Sequence, residues 1–346
     1  MTTKRRDSKH FAEGIEEGVK APPQKLHQSR FDKVVSTGST LLDLAISGGR
    51  VRGGGLPAGI YVEYFGPPSC GKTLLLIENA GSILKQGGEV HYDDGERRFD
   101  KEYSRIMGVN IPEENYTQSH TVIDLMDNFK EWSPESKEIN GFFEDSIASL
   151  SSDWEMEDKD EYGMRKAKLL HKFFRTNKTS IEKNNWIVAY SNQTIGGPSG
   201  DDTPGGKAIK YWSSLRIRIG PHPKNKWLKA THTMPSKYKA EKKFGRRSMC
   251  RVIKSSCDDE GREAPISIVY GYGVDDLREN LQYNKEVTCS DKFDCVSKEF
   301  SRIEMAIEYV EESDLVGKIR EKTIDLWEEI EQAFKDKRKR VSKQRR

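Results

Sequence analysis

Eight consecutive residues carry the clearest chemistry in this chain of 346: Gly66-Pro67-Pro68-Ser69-Cys70-Gly71-Lys72-Thr73. They fit G-x-x-x-x-G-K-[ST], a loop whose glycines let it wrap a phosphate chain. Backbone N–H groups and the N-terminus of the following helix then point at the phosphates. Lys72 would reach the β- and γ-phosphates, and the Thr73 hydroxyl would ligate Mg²⁺. The pattern needs a strand before it and a helix after it. Gly59–Phe65 reads as that strand, and Thr73–Lys85 has helical periodicity. A plain glycine turn with a surface lysine would not require both flanks. The segment predicts a nucleotide site.

Phosphoryl transfer also needs a carboxylate on the Mg²⁺ side, at the end of an apolar strand. Phe142-Phe143-Glu144-Asp145 supplies one in Asp145, but Ser146 follows it, so no glutamate stands directly behind. The base must come from elsewhere. Glu96, in Asp94-Gly95-Glu96 after the next strand, is the candidate; taken alone it would read as a solvated loop acid.

These groups need a scaffold. Apolar runs alternate with helical patterns from Val34 to about Tyr272, the signature of an α/β fold with a mostly parallel central sheet flanked by helices. Strands are expected at Glu89–Asp94, Gly141–Asp145, Trp186–Tyr190, Leu215–Ile219, Cys250–Lys254 and Pro265–Tyr270. Helices are expected at Phe99–Met107 and from near Gly163 towards Ile181. Residues 1–32 read as a polar arm, 33–275 as the core and 276–334 as mainly helical in its second half, with Ile303, Ala306, Ile307 and Val310 on one face. Residues 335–346 form a basic tail with eight Lys/Arg and one Asp, a net +7. The remaining chain is then about +3 − 7 = −4.

Apolar runs are too short for a membrane span, and the N-terminus has no secretory signal. Five cysteines suit a reducing compartment. A cytoplasmic protein of a bacterium or a phage-infected host is expected, nuclear only if the source is eukaryotic. Cys250/Cys257 and Cys289/Cys295 lack the C-x₂₋₄-C spacing of a zinc site.

In sequence order these motifs resemble the RecA family of ATP-dependent DNA recombinases, including the UvsX-like recombinases of tailed phages. Ser36-Thr37-Gly38-Ser39-Thr40-Leu41-Leu42-Asp43 is similar to the family's lead-in, and Gly55-Leu56-Pro57-Ala58-Gly59 to its approach to the first strand. Asp94-Gly95-Glu96 followed by Phe99–Tyr103 is similar to its catalytic-glutamate segment. The resemblance implies that Glu96 activates water, that Asp100 bonds the adenine amino group and that Tyr103 stacks on the ring. It makes ATP the nucleotide, and gives Asp145 a role on the Mg²⁺ side only. Ser191-Asn192-Gln193 resembles the strand end whose glutamine senses the γ-phosphate and connects it to a DNA loop. Gly205-Gly206-Lys207 resembles the segment that closes that loop and approaches DNA phosphates.

Two features depart from the family. Its N-terminal helix and strand, which dock onto the neighbouring protomer in a helical filament, have no clear counterpart in residues 1–32. The family places two lysines on a late strand, acting across the protomer interface; Lys254 fits one, and Ser256 stands in place of the other. Lys254 also reads as an exposed strand lysine.

DNA-binding features can be read without the family. Arg165, Lys168, Lys172 and Arg175 fall at i, i+3, i+7 and i+10 of one helix, a basic face that is otherwise simply solvated. Pro221–Arg247 holds nine Lys/Arg and one Glu, interleaved with Trp227, Tyr238 and Phe244. Basic charge neutralises phosphates while rings stack on unpaired bases; a disordered solvating loop is the alternative. The combined expectation is an ATPase that binds single- and double-stranded DNA and carries out homologous pairing and strand exchange. A DNA motor without pairing activity and a nucleotide-gated DNA-binding mediator remain as alternatives.

Overall fold

Strand residues that are buried on both faces dominate the centre of the chain, and their alternation divides the core in two. The computed structural model describes residues 32–153, 164–195, 200 and 202–334. Strands β1 (Val34–Val35) and β2 (Leu56–Pro57) form a separate antiparallel pair, and ten further strands form one sheet. Six of them run parallel in the order β8 (Leu215–Pro221), β3 (Ile60–Gly66), β7 (Trp186–Gln193), β6 (Asn140–Glu144), β4 (Val90–Asp93) and β5 (Tyr116–Thr117). Beyond β8 the sheet continues antiparallel through β10 (Lys239–Ser255), β11 (Glu263–Val269) and β12 (Gly273–Val274), with β9 (Trp227–Thr233) also paired to β10. The mixed α/β architecture with a mostly parallel centre is the one expected from the sequence.

Successive side chains of a strand point to opposite faces. Ile60, Val62 and Tyr64 of β3, with Ile187 and Ala189 of β7 and Phe143 of β6, therefore share one core with helices α1 (Thr40–Ser47) and α2 (Lys72–Lys85). Tyr61, Val188, Tyr190 and Phe142 turn the other way. They pack against Leu125 and Phe129 of α4 (Val122–Glu131) and Leu169, Leu170, Phe173 and Phe174 of α5 (Met164–Lys183). Between α2 and α4 lies the short α3 (Lys101–Ile106), and after β7 comes α6 (Lys207–Trp212). One charged pair sits inside the sheet: Glu63 of β3 with Arg216 of β8, both nearly fully buried, with Asn192 donating to the same carboxylate at 3.0 Å.

The C-terminal residues build a smaller core of their own. Leu277 and Leu281 of α7 (Asp276–Val287), Ala306 and Val310 of α8 (Ile303–Glu312) and Ile319 of α9 (Val316–Phe334) enclose Phe293, Cys295 and Phe300. Ile303 and Ile307 pack against this cluster, and helix already begins at Asp276 rather than only in the second half of the segment. Arg52 meets Glu321, Asp325 and Glu328 on α9, and Arg262 meets Glu331.

The largest difference from the sequence expectation is β10. It runs for 17 residues, not the five of Cys250–Lys254. With β9 it makes a long antiparallel ribbon from the Pro221–Arg247 segment, closed at Met234–Tyr238. Both strands of its outer half are exposed, so pairing and not burial holds them. Residues 1–31 of the arm and the tail from Lys335 onward lie outside the described residues. No described helix is long and apolar enough to cross a membrane.

Candidate nucleotide site and DNA-facing surfaces

The parallel strands end on one side of the sheet, where ligands of open α/β folds bind. Gly66–Thr73 lies at the end of β3. Gly71 caps α2 with a φ of 105°, and a Cβ there would meet Ile268 Cδ1 at 2.5 Å; no side chain caps this helix. The first N–H groups of α2 are thus left for a ligand, the arrangement a phosphate needs. Lys72 Nζ donates to the carbonyls of Gly66 and Pro67 at 3.1 and 2.9 Å, folded over its own loop. Burial raises the Cys70 thiol pKa, with Lys72 and Arg246 pulling the other way.

Around this loop a cleft of about 670 Å³ gathers Lys72, Thr73, Glu96, Asp100, Tyr103, Asp145 and Gln193. That volume lies within the range of ordinary ligand sites. Residues remote in sequence are brought together by register: Gln193 pairs with Gly66 across β7 and β3, and Asp145 follows β6. The Thr73 hydroxyl donates to Asp145 Oδ2 at 2.6 Å, and the Ser191 hydroxyl donates to Oδ1. Burial raises the Asp145 pKa; the Ser191 and Thr73 hydroxyls oppose this, and Glu96 and Asp94 add to it. A divalent cation would reverse that balance. Neighbouring Glu144 is pushed well above the carboxylate range, chiefly by burial and then by Asp93 and Asp145.

Glu96 is pinned to this centre. Its backbone N–H donates to Asp145 O at 2.8 Å, the Ser146 hydroxyl donates to Oε1 at 2.7 Å, and Arg98 lies 3.2 Å from Oε2. Ser146, which made Asp145 look incomplete in sequence, thus serves the glutamate. Asp100 caps α3, accepting the N–H groups of Glu102 and Tyr103 on Oδ1 at 3.0 and 2.9 Å; Oδ2 has no partner among the described residues.

The loop set fits Mg²⁺ and a nucleotide. Mg²⁺ in such sites takes one or two protein oxygens besides phosphate and water, which Thr73 and Asp145 offer side by side. Among the described residues no group of three or more His, Cys, Asp or Glu side chains could hold a metal alone, and all five cysteines are free.

Lys254 does not line this cleft. Its amino group donates to the carbonyls of Lys210 and Tyr211 at 2.8 and 2.9 Å, at the end of α6. Burial lowers its pKa, as does Arg216.

The model of the RecA N-terminal domain matches residues 23–275. This chain belongs to the RecA family. Membership carries, at the level of the family, ATP with Mg²⁺, a DNA-dependent ATPase, DNA binding and filament assembly.

Two basic surfaces lie within the matched region. On the first, Lys168, His171, Lys172 and Arg175 of α5 surround a shallow hollow with Lys207 of α6. The helix face and the Gly206-Lys207 turn, read separately in sequence, are one surface. Gly205 holds a φ of 96°, and a Cβ there would meet Ile209 and Leu170 at 2.5 and 2.9 Å, so α6 seats closely on α5. Arg165 departs from the expected continuous face: its Nε and Nη2 donate to the Asp153 carboxylate, both at 3.0 Å. The loop before Gly205 is tied at its ends, by Asn192 Nδ2 donating to Pro204 O at 3.1 Å and Ile195 N–H donating to Asp202 O at 2.7 Å. The second surface is the ribbon. Two of its residues, Trp227 and Arg246, for which no nucleotide role was expected, line the cleft together with Tyr270.

Proposed function

We propose that this chain is an ATP-dependent recombinase that binds single-stranded DNA and carries out homologous pairing and strand exchange. The observation that carries the reading is the cleft itself, where Gln193 ends the strand that Asn192 ties to the Gly205-Gly206 turn. A change at Gln193 therefore has a short covalent and hydrogen-bonded route to a DNA-facing surface.

In this mechanism the N-terminus of α2 and Lys72 bind the phosphate chain, Lys72 leaving the Gly66 and Pro67 carbonyls. Mg²⁺, held by Thr73 and Asp145, would neutralise charge on the phosphate oxygens. Glu96, oriented by Ser146 and Arg98, takes the proton of the attacking water. Asp100 and Tyr103 present a carboxylate and a ring to the base. Gln193 reports the γ-phosphate to the loop closed by Gly205-Gly206. Lys254 reaches the nucleotide of a neighbouring protomer in a filament, since it lies away from its own cleft. Single-stranded DNA lies along Lys168, Lys172, Arg175 and Lys207, with the ribbon supplying further cationic and aromatic contacts, to duplex as well as single strands. The proposed setting is the cytoplasm of a bacterium or a phage-infected host, or the nucleus if the source is eukaryotic.

The test is strand exchange between a single strand and homologous duplex, with and without ATP. Joint molecules formed only with ATP are expected. DNA-stimulated hydrolysis without joint molecules would make the protein a motor instead. Loss of both would leave a nucleotide-gated DNA-binding protein.

A further inference from the structure

Adjacent arginines near the base of the ribbon face opposite sides of β10 and have opposite fortunes. Arg247 makes two hydrogen bonds to Glu279 of α7, at 2.8 and 2.7 Å, so its charge is balanced within the fold. Arg246 lines the nucleotide cleft and has no carboxylate partner among the described residues. Its guanidinium donates one N–H to the carbonyl of Ser69 in the phosphate loop, and its Nε is buried without a partner. Ser69 itself holds a φ of 57°, a left-handed turn. Across the ribbon Arg246 pairs with Trp227, whose ring also lines the cleft and lies 5.6 Å from the guanidinium. Lys226 and Lys243 sit 5.3 and 4.6 Å from the same ring.

A buried donor left without a partner, here Nε of Arg246, is costly unless an acceptor completes it. The phosphate loop against it is built to hold an anion, and arginine's fork suits phosphate oxygens. We propose that Arg246 is a phosphate ligand of the nucleotide cleft, carried by the basic ribbon, so that nucleotide occupancy is felt through Trp227 by the ribbon. This rests on the reading of Gly66–Thr73 as a nucleotide site. When the phosphates arrive, the free donors of Arg246 close on them, and the Trp227 edge of the ribbon is drawn onto the cleft. The cation cluster around Trp227 then changes its packing together with the loop.

The experiment compares wild type, Arg246→Gln, Arg246→Lys and Lys72→Ala in binding of a non-hydrolysable ATP analogue, ADP and adenosine, after far-UV spectra establish that each is folded. Arg246→Gln is expected to weaken ATP-analogue and ADP binding about tenfold, the worth of about one charge-assisted hydrogen bond, and to leave adenosine unchanged. Arg246→Lys recovers part of the loss. Tryptophan emission of the wild type changes on adding the ATP analogue, and Trp227→Phe removes most of that change. Normal affinity in Arg246→Gln alongside lost affinity in Lys72→Ala would overturn the proposal and leave the nucleotide site standing. Equal weakening for adenosine and the phosphorylated ligands would also overturn it, making Arg246 a brace for Ser69. Normal affinity in Lys72→Ala as well would remove the nucleotide site on which the proposal rests.

Discussion

The helix face and the ribbon are both basic and both proposed to meet nucleic acid, yet they are built in opposite ways. Lys168, Lys172 and Arg175 project from a 20-residue helix whose other side is locked into the core by Leu169, Leu170, Phe173 and Phe174. Their positions are set by packing and cannot respond to much. The ribbon has almost no core of its own. Its outer residues are exposed, and its base is fixed by Arg247 on Glu279 on one side and by Arg246 on the phosphate loop on the other. A packed surface gives a constant electrostatic contribution, whereas a surface hinged on the nucleotide cleft can vary with what the cleft holds. DNA affinity in this protein should therefore have a fixed part and a nucleotide-dependent part, with separate addresses.

The largest expected effect comes from freezing the nucleotide. Glu96→Gln removes the proposed base while leaving the phosphate loop, so DNA-stimulated hydrolysis should fall at least about a hundredfold with ATP binding nearly intact. In a filter-binding assay this variant should hold DNA after ATP is added and not release it. Near-normal turnover would assign the base elsewhere.

A smaller effect separates the two surfaces. Replacing Lys224, Lys229, Lys237, Lys239 and Lys242 of the ribbon by neutral residues should flatten the salt dependence of single-strand binding. Each lost phosphate contact changes the log–log slope by roughly 0.7. The flattening should be greatest with an ATP analogue present. Neutralising Lys168, Lys172 and Arg175 should flatten the slope equally with and without nucleotide. Indistinguishable behaviour of the two sets would erase the contrast.

How much of this was legible in sequence follows from how local each determinant is. The phosphate loop, Asp145 and the alternating strands announce themselves within a few residues, because a glycine loop or a buried strand is fixed by near neighbours, whereas Glu96 reads as a loop acid until the family resemblance is added. The ribbon does not. Lys239-Ala240-Glu241-Lys242-Lys243 has no apolar alternation, since neither face is buried, so periodicity is silent and only pairing with β9 makes it a strand. Helix α4 carries a local signature, Thr121 with Asp124 three residues on, which a search for strands and motifs passes over. Arg246 at the cleft was invisible for a different reason: only the ribbon's register turns it towards Ser69 and its neighbour Arg247 away. The pairing of Arg165 with Asp153 likewise needs the chain to return on itself.

The smallest expected effect lies in the lead-in to the core, away from both surfaces, and serves as a control. Asp43 is buried and accepts hydrogen bonds from Ser36 and from the backbone and hydroxyl of Thr37. Burial is the main cause that pushes its pKa up to about 7 from an ordinary 3.8. The folded state therefore keeps a proton that the unfolded chain has released. The stability this gives is complete below about pH 4 and is lost as pH rises through about 7. Thermal melts of Asp43→Asn should be flatter than wild type across that window, with the salt slopes of DNA binding unchanged. Equal pH dependence in the two proteins would place the proton elsewhere.

The central claim is that the state of the Gly66–Thr73 cleft governs how the protein holds DNA. It is tested most directly by titrating labelled single-stranded DNA with the wild-type protein at fixed salt, without nucleotide, with ADP and with a non-hydrolysable ATP analogue. The account predicts the tightest binding with the ATP analogue and weaker binding in the other two states, with the difference lost in Lys72→Ala. The same affinity in all three states would contradict it.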